Sequence, residues 1–77
     1  MQRFDRITWD PRQMNGQPCI RGMRLTVRRV VEAVALFANW DDLFRNYPEL
    51  EPDDVRQALA FAAANLEDSA AELMPLK

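Results

Sequence analysis

The sequence contains no histidine and a single cysteine among its 77 residues. A structural zinc site uses four protein ligands, mostly cysteine and histidine, so these counts exclude one. One cysteine cannot form a disulfide within the chain, and we interpret Cys19 as a small buried hydrophobe in a reducing compartment. We therefore expect no metal and no other cofactor.

Long apolar segments are also missing from the sequence. The longest apolar runs, residues 33–38 and 58–64, are far shorter than the ~20 apolar residues that span a bilayer. Residues 1–20 hold three arginines but no central apolar block, which argues against a signal peptide. These features predict a cytoplasmic protein that makes no use of a membrane.

The shortness of the chain limits the core that it can bury. A domain of this size gains only ~3–5 kcal/mol from its core unless something else supports it. Since neither a disulfide nor a metal is expected, we predict a homodimer or a higher homo-oligomer.

Charge is distributed unevenly along the sequence. Residues 1–29 contain seven arginines and two aspartates, whereas residues 30–77 contain three basic and ten acidic residues. A split of this kind favours different partners for the two halves. It equally permits the basic half of one chain to pair with the acidic half of another.

The N-terminal third of the chain predicts a small ribbon of extended backbone. Weak alternation of apolar residues indicates a short strand over Arg6–Trp9. Two brief extended segments, Cys19–Ile20 and Met23–Leu25, flank Arg21 and Gly22. So small a ribbon is marginal alone, and we expect it to pack on the helices or on a partner's strand.

Three helices are predicted after this ribbon. Thr26 is a favourable N-cap for helix 1 and Asn39 for helix 2, while Pro52 suits the first position of helix 3. Apolar residues recur at helical spacing after each of these starts. We extend helix 3 to about residue 72. If the helix ends earlier, Asn65 is the residue at which we expect it to break.

These elements predict a mainly α fold. A short N-terminal β ribbon is followed by a three-helix core of the helix-turn-helix type. The chain, residues 1–77, forms a single domain with a strand-and-turn arm at 1–25, the three-helix core at 26–73 and a frayed tail at 74–77.

The stretch 15–27, NGQPCIRGMRLTV, combines a cysteine with glycines and arginines. Cys19 and Arg24 stand too close together for a cysteine-phosphatase loop, and no histidine is available as a base. The lysine of a phosphate-binding P-loop is missing as well. We therefore expect turn chemistry here and no enzymatic activity.

Arginines cluster in this stretch and in the first turn of helix 1. They are Arg21, Arg24, Arg28 and Arg29. Cations at a helix N-terminus oppose its dipole, by ~0.3–1 kcal/mol each when exposed. A cluster that gains nothing from local stability is a candidate for binding the phosphates of nucleic acid. Equally open is a solvated surface in which Glu32 pairs with the arginines one turn away.

Residues 16–27 read GQPCIRGMRLTV, residues 47–48 read YP and residues 55–63 read VRQALAFAA. In this order the segments resemble the bacterial family called domain of unknown function 433. Its pattern is close to G-K-P-C-I-R-G-T-R-I-x-V, then D-Y-P, then D-[IV]-R-x-A-L-x-[YF]-A. The resemblance covers about residues 6–64.

The resemblance implies a homeodomain-like helix-turn-helix core and attaches no enzymatic activity to it. Family members often sit beside small toxins with a PIN-like nuclease fold. The resemblance therefore implies an antitoxin of the VapB-like kind, which binds and neutralises its toxin and can repress its own operon by binding operator DNA.

Predicted helix 3 has an acidic N-terminus, which disfavours the reading of DNA by that end of the helix. We therefore assign any DNA contacts to the four arginines. An acidic protein can instead cover the basic, RNA-binding surface of a PIN-like nuclease. The acidic residues that we assign to toxin binding are Asp53, Asp54, Glu67, Asp68 and Glu72.

Two apolar residues lie outside the apolar stripe of helix 1. Leu36 and Phe37 either pack against the N-terminal ribbon or form an interface with a partner, and Phe37 stands where the family usually ends this helix with glycine. The alternative function is a protein-interaction or adaptor module that binds no DNA. Such a module would self-associate through its basic and acidic halves.

Overall fold

The computed structural model describes residues 4–66 as a two-stranded ribbon followed by three helices. The elements in chain order are β1 (Ile7–Thr8), a 3-10 turn (Met14–Gly16), β2 (Cys19–Ile20), α1 (Val27–Leu36), α2 (Trp40–Asn46) and α3 (Pro52–Ala64). The predicted mainly helical fold with a short N-terminal ribbon is thereby confirmed. The strands are antiparallel, with Ile7 opposite Ile20.

The ribbon is smaller than the sequence predicted. The strand expected over Arg6–Trp9 shortens to two residues. The segment expected at Met23–Leu25 is not a strand, and pairing with β2 is limited to its end, where the Ile20 amide donates to the Leu25 carbonyl at 2.9 Å and Thr26 bridges Cys19. A tight turn lies between the two segments, in which the Met23 amide donates to the Ile20 carbonyl at 2.7 Å. Arg21 and Gly22 occupy its centre with φ of 46° and 72°. Two positive φ values are the signature of the primed turn that suits a β-hairpin.

The predicted starts of α1 and α2 are confirmed. The Thr26 hydroxyl accepts from the Arg29 amide at 3.0 Å, and the Asn39 side chain accepts from the Asp42 amide at 2.9 Å. Each cap satisfies an amide that has no partner within its helix. The two caps therefore set where these helices begin.

The third helix also begins as predicted, with Pro52 in its first position. It ends at Ala64, where the Asn65 side chain donates to the Phe61 carbonyl at 2.8 Å. Asn65 is thus the early break that the sequence suggested. The predicted extension to about residue 72 is therefore wrong at residues 65–66, while residues 67–72 and the expected tail at 74–77 lie outside the described residues.

One apolar cluster joins the ribbon to the helices. Its buried members are Ile7, Ile20, Val27, Val30, Ala33, Leu43, Leu50, Val55 and Ala58. The largest helix contact is between α1 and α3. Cys19 is buried as expected. Among residues 4–66, no helix is long and apolar enough to cross a membrane.

Leu36 and Phe37, at the end of α1, have different environments. Phe37 is half-buried and packs edge-to-face against Tyr47, with ring centroids 6.4 Å apart. Its aromatic partner therefore comes from the end of α2 and not from the N-terminal ribbon. Leu36, by contrast, is 76% exposed.

We expect Leu43→Ala to lower the free energy of unfolding by about 2–5 kcal/mol, because Leu43 is fully buried and the change leaves a cavity. Urea denaturation measures the decrease. Leu36→Ala is the matched control, and its effect should stay within about 0.5 kcal/mol because that side chain is exposed. Equal decreases in the two variants would contradict the assigned core.

Candidate functional site

A buried carboxylate joins the N-terminal arm to the start of α3. Asp54 is 0% exposed. Its Oδ1 accepts from Arg6 Nη1 at 2.9 Å and from Arg21 Nε at 3.0 Å, and its Oδ2 accepts from Arg21 Nη2 at 2.8 Å. The Glu51 amide donates to the same Oδ2 at 2.9 Å. Both oxygens are therefore fully engaged, and we call these residues the Asp54 cluster.

The hairpin turn places Arg21 for this contact. A positive φ at a residue other than glycine is strained, by about 1–3 kcal/mol. The guanidinium of Arg21 donates to the Asp54 carboxylate from both Nε and Nη2, and Nη2 also donates to the Glu49 carbonyl at 2.8 Å. The Gly22 amide donates to the Thr8 hydroxyl at 2.8 Å and anchors the turn on β1. These bonds offset the strain at Arg21.

Arg6 holds the arm at a second point. Its Nη1 also bonds Glu51 at 2.7 Å, and its Nη2 lies 3.8 Å from Asp53. The Arg6 amide donates to the Gln57 side chain at 3.0 Å. Two basic residues of the arm thus bond to the acidic start of α3 within one chain.

These contacts shift the pKa values of the cluster. Burial alone raises the pKa of Asp54, but hydrogen bonds from Arg21 and Arg6 outweigh it and hold that pKa below its ordinary value of 3.8. The hydrogen bond to Asp54 raises the pKa of Arg21, and hydrogen bonds to Glu51 and Asp54 raise that of Arg6. All three groups stay charged at neutral pH.

The four arginines proposed for nucleic-acid binding occupy two kinds of environment. All four are exposed, but the Arg21 side chain bonds to Asp54, whereas the other three lie outside the Asp54 cluster. Arg28 and Arg29 both pair with Glu32, at 3.2 and 3.9 Å, so the solvated-surface alternative has its predicted contacts. Within residues 4–66, Arg24 forms no ion pair.

The acidic residues proposed for toxin binding also differ in their exposure. Asp53 is exposed and pairs with Arg56 at 2.9 Å. Asp54 is buried, so its carboxylate is not available to a partner protein. Glu67, Asp68 and Glu72 lie outside the described residues, and their assignment stays a prediction.

An apolar groove of about 490 Å³ runs between the first turns of α1 and the last turns of α3. Its lining is Gln17, Pro18, Val27, Arg28, Val31, Glu32, Phe61, Ala62, Asn65 and Leu66. Phe61 continues the apolar surface to Trp9, with ring centroids 5.5 Å apart. Leu66 is 72% exposed at one wall. No pattern in the sequence indicates this groove, since helical spacing alone places Leu66 on the interior face of a longer helix.

No group of three or more potential metal-ligating side chains occurs in the described part of the chain.

A comparison with protein families matched residues 7–62 to the family described as "Protein of unknown function (DUF433)". The chain belongs to the DUF433 family. The match includes Arg21 and Asp54, so the central ion pair of this DUF433 chain lies within the matched region. Searches of curated proteins and of solved structures gave no match.

We expect Asp54→Asn to lower the free energy of unfolding by about 3 kcal/mol, because it removes one partner of a buried ion pair. This value is at the lower end of the usual cost, since both arginines that lose their partner can reach water. The folded-state pKa of Asp54 is depressed, so its contribution is complete above pH 3.8 and disappears as the pH falls through the folded value. Urea denaturation from neutral to acid pH checks both points.

Asp53→Asn is the matched control, because Asp53 also pairs with arginines but is 60% exposed. Its cost should stay below about 1 kcal/mol, as for surface ion pairs. If both variants are destabilised equally, the Asp54 cluster is not the central contact.

Proposed function

We propose that this DUF433 protein is a cytoplasmic, non-enzymatic antitoxin that binds and neutralises a PIN-like nuclease toxin. The VapB-like resemblance implies this role, and the observation that carries it is an exposed apolar and acidic surface. Leu36 ends α1 and Trp40 begins α2, and both are exposed, at 76% and 37%. Asp41 follows and is exposed as well. We call these three residues the turn patch.

The turn patch suits a protein partner better than a small ligand. Tryptophan is enriched among the residues that dominate binding energy at protein interfaces. The Trp40 ring packs edge-to-face on Phe44, with centroids 5.9 Å apart, so it is held at the surface before a partner arrives. Asp41 forms no ion pair within residues 4–66, which leaves its carboxylate for a basic nuclease surface.

The acidic mechanism rests on fewer residues than the sequence suggested. Asp54 serves the fold, and Asp53 shares its charge with Arg56 and Arg6. Asp41 and the exposed Glu49 are the described carboxylates that replace them. Glu67, Asp68 and Glu72 remain part of the proposal.

We expect the chain to co-purify with the product of the adjacent reading frame and to relieve its growth arrest. The double variant Leu36→Ser, Trp40→Ser should raise the Kd by about 700-fold or more, since interface hot spots are worth at least 2 kcal/mol each. Affinity capture with a tag on the neighbour, together with growth curves, measures both effects.

Arg12→Ser is the control for this experiment, because Arg12 is exposed and lies on the N-terminal arm. Circular dichroism confirms the fold of each variant. No complex and no rescue by the wild-type chain would exclude the antitoxin role. Normal binding by the double variant would keep the role but refute the turn patch.

We propose operator binding as a second activity, supported by the exposure of Arg24, Arg28 and Arg29. Arg24 carries most of this support, because no described carboxylate neutralises it. The exposed Glu51 and Asp53 at the start of α3 still disfavour DNA contacts by that end of the helix. Arg21, committed to Asp54, is no longer part of the proposed contact surface.

If Arg24 neutralises a DNA phosphate, Arg24→Ala should weaken binding to the protein's own promoter. The slope of log K against log salt should then fall by roughly 0.9 for each phosphate that the variant leaves without a cation. Fluorescence anisotropy over a salt series measures it. Arg56→Ala, which removes an exposed arginine of α3, should leave the slope unchanged. Equal slopes for Arg24→Ala and the wild type would remove Arg24 from the interface.

A further inference from the structure

The apolar groove between α1 and α3 has an edge that carries both signs of charge. Arg28 and Glu32 stand one turn apart on α1 and both line the groove. Within the chain they bond to each other, with Arg28 Nε 3.2 Å from Glu32 Oε2, and both side chains remain exposed. Val31 lies beside them and contributes apolar surface to the groove.

An edge of this kind is complementary to itself. In a two-fold symmetric interface the same patch meets its own copy, so residue i contacts residue j and j contacts i. Two copies of α1 that run antiparallel across the axis can place each arginine opposite the other copy's glutamate. An edge with charges of one sign would instead repel its own copy.

We propose that the groove is a docking site for a second copy of this chain. The two α1 helices lie antiparallel across a two-fold axis, and Arg28 of each copy faces Glu32 of the other. The charge pairs fix the register, and burial of the groove supplies the stabilisation. This inference does not depend on the proposed antitoxin activity.

Leu66 completes the apolar part of this interface. It lies two residues after the end of α3, lines the groove and is 72% exposed. A helix seated in the groove covers Leu66 together with Phe61 and Val31. The extra burial suits a chain whose single core is small.

Charge reversal tests the register directly. Sedimentation velocity of the full chain should show a concentration-dependent dimer, with Arg28→Glu and Glu32→Arg each raising the dimer Kd by ~10-fold or more, because each variant puts like charges across the axis. An equimolar mixture of the two variants should dimerise nearly as tightly as the wild type. In the mixed dimer, opposite charges again face each other across the axis.

The mixture distinguishes an effect on the dimer interface from an effect on the fold of the single chain. Each single variant also breaks the ion pair between positions 28 and 32 within its own chain, and mixing cannot restore that pair. Arg45→Glu is the matched control, because Arg45 and Asp42 form an exposed pair away from the groove, 2.6 Å apart. It should leave the dimer unchanged. Leu66→Arg, at an exposed site, should give a folded monomer by circular dichroism.

Three results would overturn the proposal. They are a wild-type monomer at concentrations up to about 100 μM, a mixture no tighter than the single variants, and a dimer unaffected by Leu66→Arg. In the monomer case, methyl NMR of Val27 and Val31 identifies the true occupant. Shifts on deletion of residues 67–77 would assign the groove to that segment, and shifts only with the adjacent gene product would assign it to a different protein.

Discussion

The ion pair between Asp54 and Arg21 is the contact on which the arrangement of arm, turn and α3 depends. Removing a carboxylate from water costs several kcal/mol unless its partners are well placed. Here two arginines and one backbone amide meet both oxygens, and within the described residues no buried side-chain nitrogen or oxygen lacks a partner. The strained turn at Arg21 and the entry into α3 are parts of the same arrangement.

The sequence predicted the helices well because their signals are local. Thr26, Asn39 and Pro52 mark helix starts by their own chemistry, and Asn65 marks an end. The Asp54 cluster could not be predicted in this way. The position of Asp54 three residues after the Glu51 N-cap is local, and the Glu51 amide donates to the Asp54 side chain there. The burial of Asp54 depends instead on an arm that folds back from the other end of the chain.

The uneven charge of the sequence has a role within a single chain. Arg6 and Arg21, from the basic half, bond to Glu51 and Asp54, from the acidic half. These bonds account for part of the charge split without a second molecule, and self-association through the two halves stays a prediction. They also distinguish the arginines that bond to buried Asp54 from those that do not, a distinction that net charge alone does not make.

The sequence separation of the central pair sets an order of events during synthesis. Arg21 and Asp54 are 33 positions apart, and Arg6 and Asp54 are 48 apart. The arm leaves the ribosome before α3, so its buried partner Asp54 is not yet available when Ile7 and Ile20 emerge. These two core side chains therefore stay open to chaperones, proteases and other nascent chains until α3 has followed them out.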